Sequence, residues 1–287
     1  MRNPTFRQSY YAGSWYPSEE KELTSLIKSE VDRIQIQKGS LSYGVFAHAG
    51  LTYSARSLAH LFMYDTSHIE QVLVLAPSHS ALIPSDQLSF GSFSGYKTPL
   101  GTLDSFTTNL ESIGPDVTRV IEQEHAVEMI LPFVAYLQQK EKRRLSVAMA
   151  LLSRLSSQLK ADEIADLLQE HVDLETTLVV ASSDFTHYGR RFGHTPFGAK
   201  VDAKVLESVK EDDLHIATLL EKGNTQNIFM NQYQSKQTIC GLAPSIIVST
   251  LAKRNQKKGS IADYYTSIDV TRTLEDDFVA YATLLWT

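Results

Sequence analysis

The sequence has little of several features that would place it in a specialised class of proteins. Among its 287 residues there is one cysteine, so an internal disulfide framework is excluded and a reducing compartment is expected. The longest apolar runs, such as LVLA and TLVVA, have the length of a strand and are too short to cross a bilayer. Residues 1–17 contain no apolar segment of the kind found in signal peptides. These absences predict a cytoplasmic protein that does not associate with membranes.

The chain also lacks a strong excess of either positive or negative charge. Charged residues make up 21% of the chain, the net charge is −6, and there is no long block of like charges. A mildly acidic chain lacks the basic surface that non-specific nucleic-acid binding requires, so nucleic acid is not an expected partner. Flexible linkers, low-complexity segments and internal repeats are absent as well. With 43% apolar residues to form a core, we expect a single domain over residues 1–287.

Strand-like segments alternate with amphipathic helical segments along nearly the whole chain. Strands are expected at 43–47, 71–76, 145–152 and 176–183, and two more, SIADYYTSIDV and DFVAYATLLW, close the chain. Helices are expected at 53–64, 126–137, 156–171, 197–209, 212–222, 224–235 and from just past Cys240 to about Lys253. Pro132 should kink or end the second of these helices. The pattern predicts an α/β fold with a mixed central β-sheet flanked by helices.

Three of the nine histidines directly follow predicted strands: His48, His79 and His187, the last in one motif with Asp184. In open α/β sheets, ligands collect outside the carboxyl ends of the strands. Cys240 precedes a predicted helix, whose N-terminal dipole favours the thiolate. Imidazole and thiolate are ligands for zinc, iron and copper. Two histidines and Cys240 could therefore converge on a metal. They could equally be solvated loop histidines and an inert buried cysteine, and position alone does not decide.

A second group of residues has a less specific pattern. His125 and Glu128 are three residues apart and share a helical face. Because only one such pair occurs, and because Glu124 and Glu128 also suit a first helical turn, we favour a structural or site-adjacent role over ligation. Trp15 and Tyr16 belong to an aromatic N-terminal stretch that could line a recognition pocket, although core packing is the commoner role of such residues.

Seven segments in series resemble one known family, the Memo-like proteins. They occur in the family's order and extend over nearly the full chain: AGSWYP (12–17), HAGLTYSA (48–55), APSHS (76–80), TPLG (98–101), EHAVEMILPF (124–133), SSDFTHY (182–188) and ICG (239–241). The resemblance implies a fold similar to that of the class III extradiol dioxygenases, which hold non-haem iron with two histidines and one glutamate.

The same resemblance implies roles for individual residues. His48, His79 and Cys240 match the metal ligands, His187 matches an acid/base histidine, and Asp184 lies in the same motif. The implied cofactor is a divalent metal, iron or copper, with zinc as a further option. Because a thiolate replaces the glutamate of the dioxygenases and can itself be oxidised, ordinary ring cleavage is not expected. The implied partners are radical-SAM and AMMECR-type proteins, together with a small molecule or peptide in the cleft.

Three functional hypotheses follow. In the first, a metal-dependent redox enzyme uses His187, oriented by Asp184, to move protons near neutral pH. In the second, a dioxygenase-like scaffold binds a peptide or protein without catalysis. In the third, the site handles copper or iron, since copper binds N/S sites more tightly than iron does. A zinc hydrolase is a weaker reading, because no H-E-x-x-H helix is present.

Overall fold

The computed structural model describes residues 5–106, 114–231 and 237–287, and its strands form one mixed sheet. The strands are β1 (Phe6–Arg7), β2 (Tyr43–Phe46), β3 (Gln71–Ala76), β4 (Ser89–Phe90), β5 (Gly95–Thr98), β6 (Gly101–Ser105), β7 (Ser146–Leu151), β8 (Thr177–Ser182), β9 (His187–Tyr188), β10 (Gly259–Thr266) and β11 (Phe278–Trp286). Their order is β1-β5-β6-β7-β3-β8-β2-β11-β10, with β4 beside β7 and β9 beside β11.

The helices cover both faces of this sheet. They are α1 (Glu20–Val31), α2 (Leu51–Leu58), α3 (Thr118–Glu122), α4 (His125–Glu128), α5 (Leu131–Glu141), α6 (Gln158–His171), α7 (Ala203–Glu221), α8 (Gln226–Met230), α9 (Leu242–Arg254) and α10 (Ser267–Thr271). The two largest clusters of buried apolar residues take alternate residues of the central strands, as with Val74 in one and Leu73 in the other. No helix of the described ranges is both long and apolar enough to cross a membrane.

The predicted α/β architecture with a mixed sheet is confirmed. The neighbours β7, β3, β8 and β2 pair in parallel, whereas β11 is antiparallel to both β2 and β10. Every residue of β8 is buried, in keeping with a continuous apolar run covered on both faces. The four predicted internal strands occur within two residues of their expected bounds. Helix α1 and the short strands β4, β5 and β6 were not predicted.

The bounds of two helices in the first half of the chain differ from the predicted bounds. The helix expected at 53–64 begins earlier, at Leu51, and its last turn is a 3₁₀ helix, Ala59–Phe62. The segment expected to be one helix at 126–137 is divided into α4 and α5. Pro132 lies in the first turn of α5, where its missing N–H leaves no hydrogen bond unmade.

Further differences occur in the last third of the chain. The helices expected at 197–209 and 212–222 are the single helix α7, which begins after Asp202, whose carboxylate accepts from two backbone N–H groups. Of the helix expected at 224–235, α8 covers five residues, and 232–236 lie outside the described residues. The strand expected to continue to Val270 ends at Thr266. There, a capping box between Thr266 and Asp269 starts α10.

The sheet order brings three strand ends together. β8 lies between β3 and β2 and is parallel to both, so the residues that follow all three strands meet at one edge of the sheet. The N-terminus of α9 packs against this edge at Gly241. A β-carbon there would lie 2.2 Å from the carbonyl oxygen of Ser182, so only glycine permits this approach.

Candidate functional site

Three imidazole rings meet at this edge of the sheet. His48 follows β2, His79 follows β3, and His125 is the first residue of α4. One ring nitrogen from each lies within 4.8 Å of the others, and the ring centroids are 4.4–5.3 Å apart. His48 is buried, His125 is half-buried and His79 is exposed, so the cluster has a buried side and a side open to solvent. Its size and ligand type suit a transition-metal ion.

A buried carboxylate, Glu124, lies behind two of these rings. Its oxygens accept from the backbone N–H and Nδ1–H of His79 at 2.6 and 2.9 Å, from the Ser80 N–H at 3.1 Å and from the Ala126 N–H at 3.2 Å. The Nδ1 of His125 is 3.3 Å from the same carboxylate. Because a carboxylate only accepts, the His79 proton is on Nδ1 and the lone pair is on Nε2. A carboxylate in this position orients metal-ligating histidines.

His48 is oriented by a hydroxyl instead. Its Nδ1 is 2.9 Å from the Oγ of Ser182, and that hydroxyl donates to the carbonyl oxygen of Ala126 at 2.5 Å. Since the hydroxyl proton is used by the carbonyl, Nδ1 of His48 must be the donor to Ser182. The lone pair of His48 is therefore on Nε2, which lies 3.1 Å from the Sγ of Cys240.

The electrostatics of the cluster keep the rings of His48 and His125 neutral. Burial lowers the pKa of His48 well below 6.5, and the neighbouring His79 and His125 lower it further. Burial, assisted by His79, lowers the pKa of His125 to about 4. For Glu124, burial would raise the pKa, but the hydrogen bonds and charge of His79 and the charge of His125 outweigh it and hold the pKa at about 2. At neutral pH, Glu124 is thus an anion, and the neutral rings of His48 and His125 can donate lone pairs.

Cys240 lies beside the cluster but outside the three-histidine grouping. Its thiol reaches the Nε2 of His48, and its sulfur accepts from the Asp184 N–H at 3.3 Å. Burial raises the pKa of Cys240 well above 9.0, and the charge of Asp184 adds to the effect. The expectation of a thiolate at the start of α9 is therefore wrong for the metal-free protein, because the cost of burying the charge exceeds the stabilisation from the helix dipole.

Asp184 supports the backbone that carries His48. Its Oδ1 accepts from the N–H groups of His48 at 2.8 Å and Ala49 at 3.3 Å. Burial raises the pKa of Asp184, and the charge of His187 acts in the opposite direction. The hydrogen bonds of this carboxylate therefore go to the loop after β2.

His187 is oriented by backbone carbonyls and not, as predicted, by Asp184. Its Nδ1 lies 3.1 Å from the carbonyl oxygens of both Phe185 and Thr238. His187 lies in the segment that follows β8, at the same edge of the sheet, and it is among the groups that lower the pKa values of His48 and His125. The structure thus brings the predicted His48, His79, Asp184, His187 and Cys240 to one edge of the sheet.

Glu128 has a structural role beside this site, where it contacts the N-terminal segment. It forms a buried ion pair with Arg7, with Nη1 and Oε2 2.6 Å apart. It also accepts from the Tyr11 N–H at 2.8 Å and from the Tyr16 hydroxyl at 2.5 Å. These contacts hold the N-terminal segment against α4. Both Glu128 and Tyr16 are buried, and the site-adjacent role predicted for them stays a prediction.

The same N-terminal segment places an aromatic row, Tyr10, Tyr11 and Trp15, next to the imidazoles. Successive ring centroids along the row are 5.2 and 5.1 Å apart, and Trp15 lies 4.6 Å from the ring of His125. Tyr10 is 57% exposed and Trp15 is 36% exposed. The row is therefore an accessible aromatic surface that continues from the histidine cluster.

Sequence reasoning missed the roles of Glu124, Ser182 and Thr238. Each acts on a histidine that is distant in the chain, and only folding brings the pair together. The one sequence signal for Glu124 was its position directly before His125. That position is equally typical of an acidic residue in the first turn of a helix, so the signal was not decisive.

Comparisons with known proteins agree with the motifs. A family model described as Memo-like protein matches residues 7–285. Protein MEMO1 of Xenopus tropicalis is 28% identical over 294 aligned positions, which cover 96% of this chain and 95% of that protein. Protein MEMO1 of Homo sapiens is 26% identical with the same coverage. Protein memo-1 homolog of Caenorhabditis elegans is 25% identical over 96% of this chain and 81% of its own length. Because the family model matches almost the entire chain, the protein belongs to the Memo-like protein family.

Proposed function

We propose that the protein binds a divalent transition metal through His48, His79 and His125 and uses it in a redox reaction on a small molecule. The observation that carries this proposal is the convergence of three imidazole nitrogens within 4.8 Å of one another. Iron or copper, with zinc as a further option, suits nitrogen ligands of this kind. A bound iron or copper ion would supply redox chemistry and coordination positions for other ligands.

The donor set fits such an ion. The lone pairs of His48 and His79 are on Nε2, because Ser182 and Glu124 engage the Nδ1–H groups. The pKa values of His48 and His125 are lowered, so neither ring must lose a proton at neutral pH before it binds a metal. The buried anion of Glu124 offsets part of the charge that a cation would bring.

Cys240 is the alternative third ligand, in the set His48, His79 and Cys240 that the sequence predicts. Its Sγ already contacts the Nε2 of His48 at 3.1 Å. Because the pKa of this thiol is raised, ligation by Cys240 would require a metal to displace its proton. The neutral imidazole of His125 carries no such cost, which is why we place His125 in the ligand set.

The remaining predictions belong to the same proposal. His187 would carry protons to and from the substrate through Nε2, whose lone pair the contacts at Nδ1 leave free. The dioxygenase-like fold, the single domain over residues 1–287 and the absence of ordinary ring cleavage stay predictions. So do a cytoplasmic location and radical-SAM or AMMECR-type partners.

Metal analysis of variants tests the ligand set. Protein stripped of metal is titrated anaerobically with Fe(II), and in parallel with copper and zinc, and the bound metal is measured by mass spectrometry. His125→Ala should weaken binding by more than the roughly 10- to 100-fold typical of losing an outer-sphere partner, whereas Cys240→Ser should change it by less. His171→Ala, at the far end of α6, is the matched control.

The outcomes are distinct. Loss of binding in Cys240→Ser with no change in His125→Ala would move the third ligand to Cys240. Failure of the unmodified protein to bind any of the three metals would overturn the proposal. Retention of copper alone, without turnover of added substrates, would indicate metal handling instead of catalysis.

The exposed aromatic row favours a second candidate function, binding of a peptide or small molecule in the cleft without catalysis. Tyr10 and Trp15 present apolar rings to solvent beside polar imidazoles, a combination typical of recognition surfaces. In this case, capture of a ligand from a peptide library should survive His79→Ala and metal removal but not Trp15→Ala. Loss of capture on metal removal would refute it.

A further inference from the structure

The strand-end segment that carries Asp184 and His187 is joined to the segment that carries Cys240 by a series of hydrogen bonds. The Gly241 N–H donates to the Ser183 hydroxyl at 3.1 Å, and the Asp184 N–H donates to the Cys240 sulfur at 3.3 Å. The third contact joins His187 to Thr238. The two segments run past each other without forming a strand pair, so these contacts hold them together.

The contact between His187 and Thr238 is reciprocal. The His187 N–H donates to the Oγ1 of Thr238 at 2.8 Å, and the same hydroxyl donates to the carbonyl oxygen of His187 at 2.9 Å. The backbone carbonyl of Thr238 in turn lies 3.1 Å from the Nδ1 of the His187 ring. One residue thus engages the backbone donor, the backbone acceptor and the side chain of His187.

These contacts determine which ring nitrogen of His187 carries the proton. The two oxygens near Nδ1, from Phe185 and Thr238, are carbonyl oxygens and can only accept. Nδ1 must therefore be protonated in the neutral ring, and Nε2 holds the lone pair. The ring edge is also held from one side by Phe192, whose ring centroid is 5.1 Å away.

We propose that Thr238 is the positioning residue of His187: its hydroxyl holds the backbone of His187 so that the ring stays against the Phe185 and Thr238 carbonyls, and Nε2 is then the basic nitrogen presented to the site. The catalytic relevance of this tautomer rests on the proposed function, in which His187 moves protons. The placement of the ring itself does not depend on a metal. Neither the motifs nor the family comparison assigns a role to Thr238.

The test reads the tautomer of His187 directly in the metal-free, full-length protein. Ring nitrogens are observed by long-range ¹H–¹⁵N NMR on ¹⁵N-labelled protein, with His187 assigned by the loss of its signals in His187→Gln. The unmodified protein should show a protonated Nδ1 and an unprotonated Nε2. Thr238→Ser keeps the hydroxyl and should retain this signature, whereas Thr238→Val should convert it to a mixture of the two tautomers. Thr273→Val, at an exposed threonine, is the matched control.

Each outcome decides the question. A proton on Nε2 in the unmodified protein, or an unchanged Nδ1–H signature in Thr238→Val, overturns the role of Thr238. If Thr238→Val does not fold, Thr238→Ala supplies the same comparison with a smaller side chain. Metal titration of the unmodified protein reports separately on the proposed metal centre, so a failure of metal binding leaves the tautomer result standing.

Discussion

Replacement of Glu124 by glutamine should destabilise the protein and weaken the proposed metal centre together. The carboxylate is completely buried and accepts hydrogen bonds from several donors around His79, Ser80 and Ala126. Glutamine has nearly the same shape, but it is neutral and presents an NH₂ group to some of these donors. The variant therefore removes charge and acceptor capacity without leaving a cavity.

The magnitude follows from the pKa of Glu124, which the fold holds at about 2 instead of 4.5. At about 1.4 kcal/mol for each pH unit, this difference corresponds to about 3 kcal/mol of stability. Because the pKa is lowered in the folded state, this stability is fully present above pH 4.5 and is lost as the pH falls from 4.5 to 2.

Urea unfolding of the metal-free protein at pH 7 measures this loss. Glu124→Gln should lower the free energy of unfolding by about 3 kcal/mol, and metal titration of the same variant should show an affinity reduced roughly 10- to 100-fold. Glu122→Gln, two residues away and exposed, is the control and should change neither quantity. A loss of less than about 1 kcal/mol at pH 7 would refute the inference that Glu124 is ionised and multiply hydrogen-bonded in the folded protein.

Three further perturbations test other parts of the structure. The lowered pKa of His125, about 4, should contribute about 3 kcal/mol to the fall in stability of the metal-free protein as the pH drops from 6.5 to 4, because the unfolded chain binds a proton first. The lowered pKa of His48 adds to this fall, so His125→Gln should reduce the pH dependence in urea unfolding without abolishing it. Gly241→Ala should cost about 2–3 kcal/mol, since its β-carbon would meet the Ser182 carbonyl; an unchanged melting curve would contradict that packing. Arg7→Met should cost about 3–5 kcal/mol by stranding Glu128, and the double variant with Glu128→Gln should recover part of the loss in a double-mutant cycle.

The strands and the positions of three site residues could be predicted because their signals are local. A short run rich in β-branched and apolar residues, such as 177–182, is typical of an internal strand that is buried on both faces. In a parallel sheet, whatever follows such a strand is delivered to the carboxyl edge, which placed His48, His79 and Asp184 correctly. Helix bounds were harder to predict where a single residue sets the start of the helix. Asp202 does so as an N-cap, and Pro132 does so by its place in a first turn.

The electrostatic state of the site depended on contacts that no local pattern encodes. The dipole of α9 predicts a thiolate at Cys240, yet burial among residues from other elements raises the pKa of that thiol. The sequence places Asp184 and His187 in one motif, and Asp184 was therefore predicted to orient His187. In the structure, the His187 ring instead contacts Thr238, which is 51 residues away.

The amino-acid sequence by itself determined the α/β architecture, the family and the edge of the sheet where the chemistry-bearing residues gather, because hydrophobic periodicity and strand direction are properties of short segments. Only the tertiary structure decided that His125 joins His48 and His79, that Glu124 lies behind them, and that Glu128 instead pairs with Arg7. The physical reason is that α4 is placed by packing against β3 and by the bond from Ser182 to Ala126. These contacts join residues distant in the chain, and they direct Glu124 and His125 inward while turning Glu128 toward the N-terminal segment.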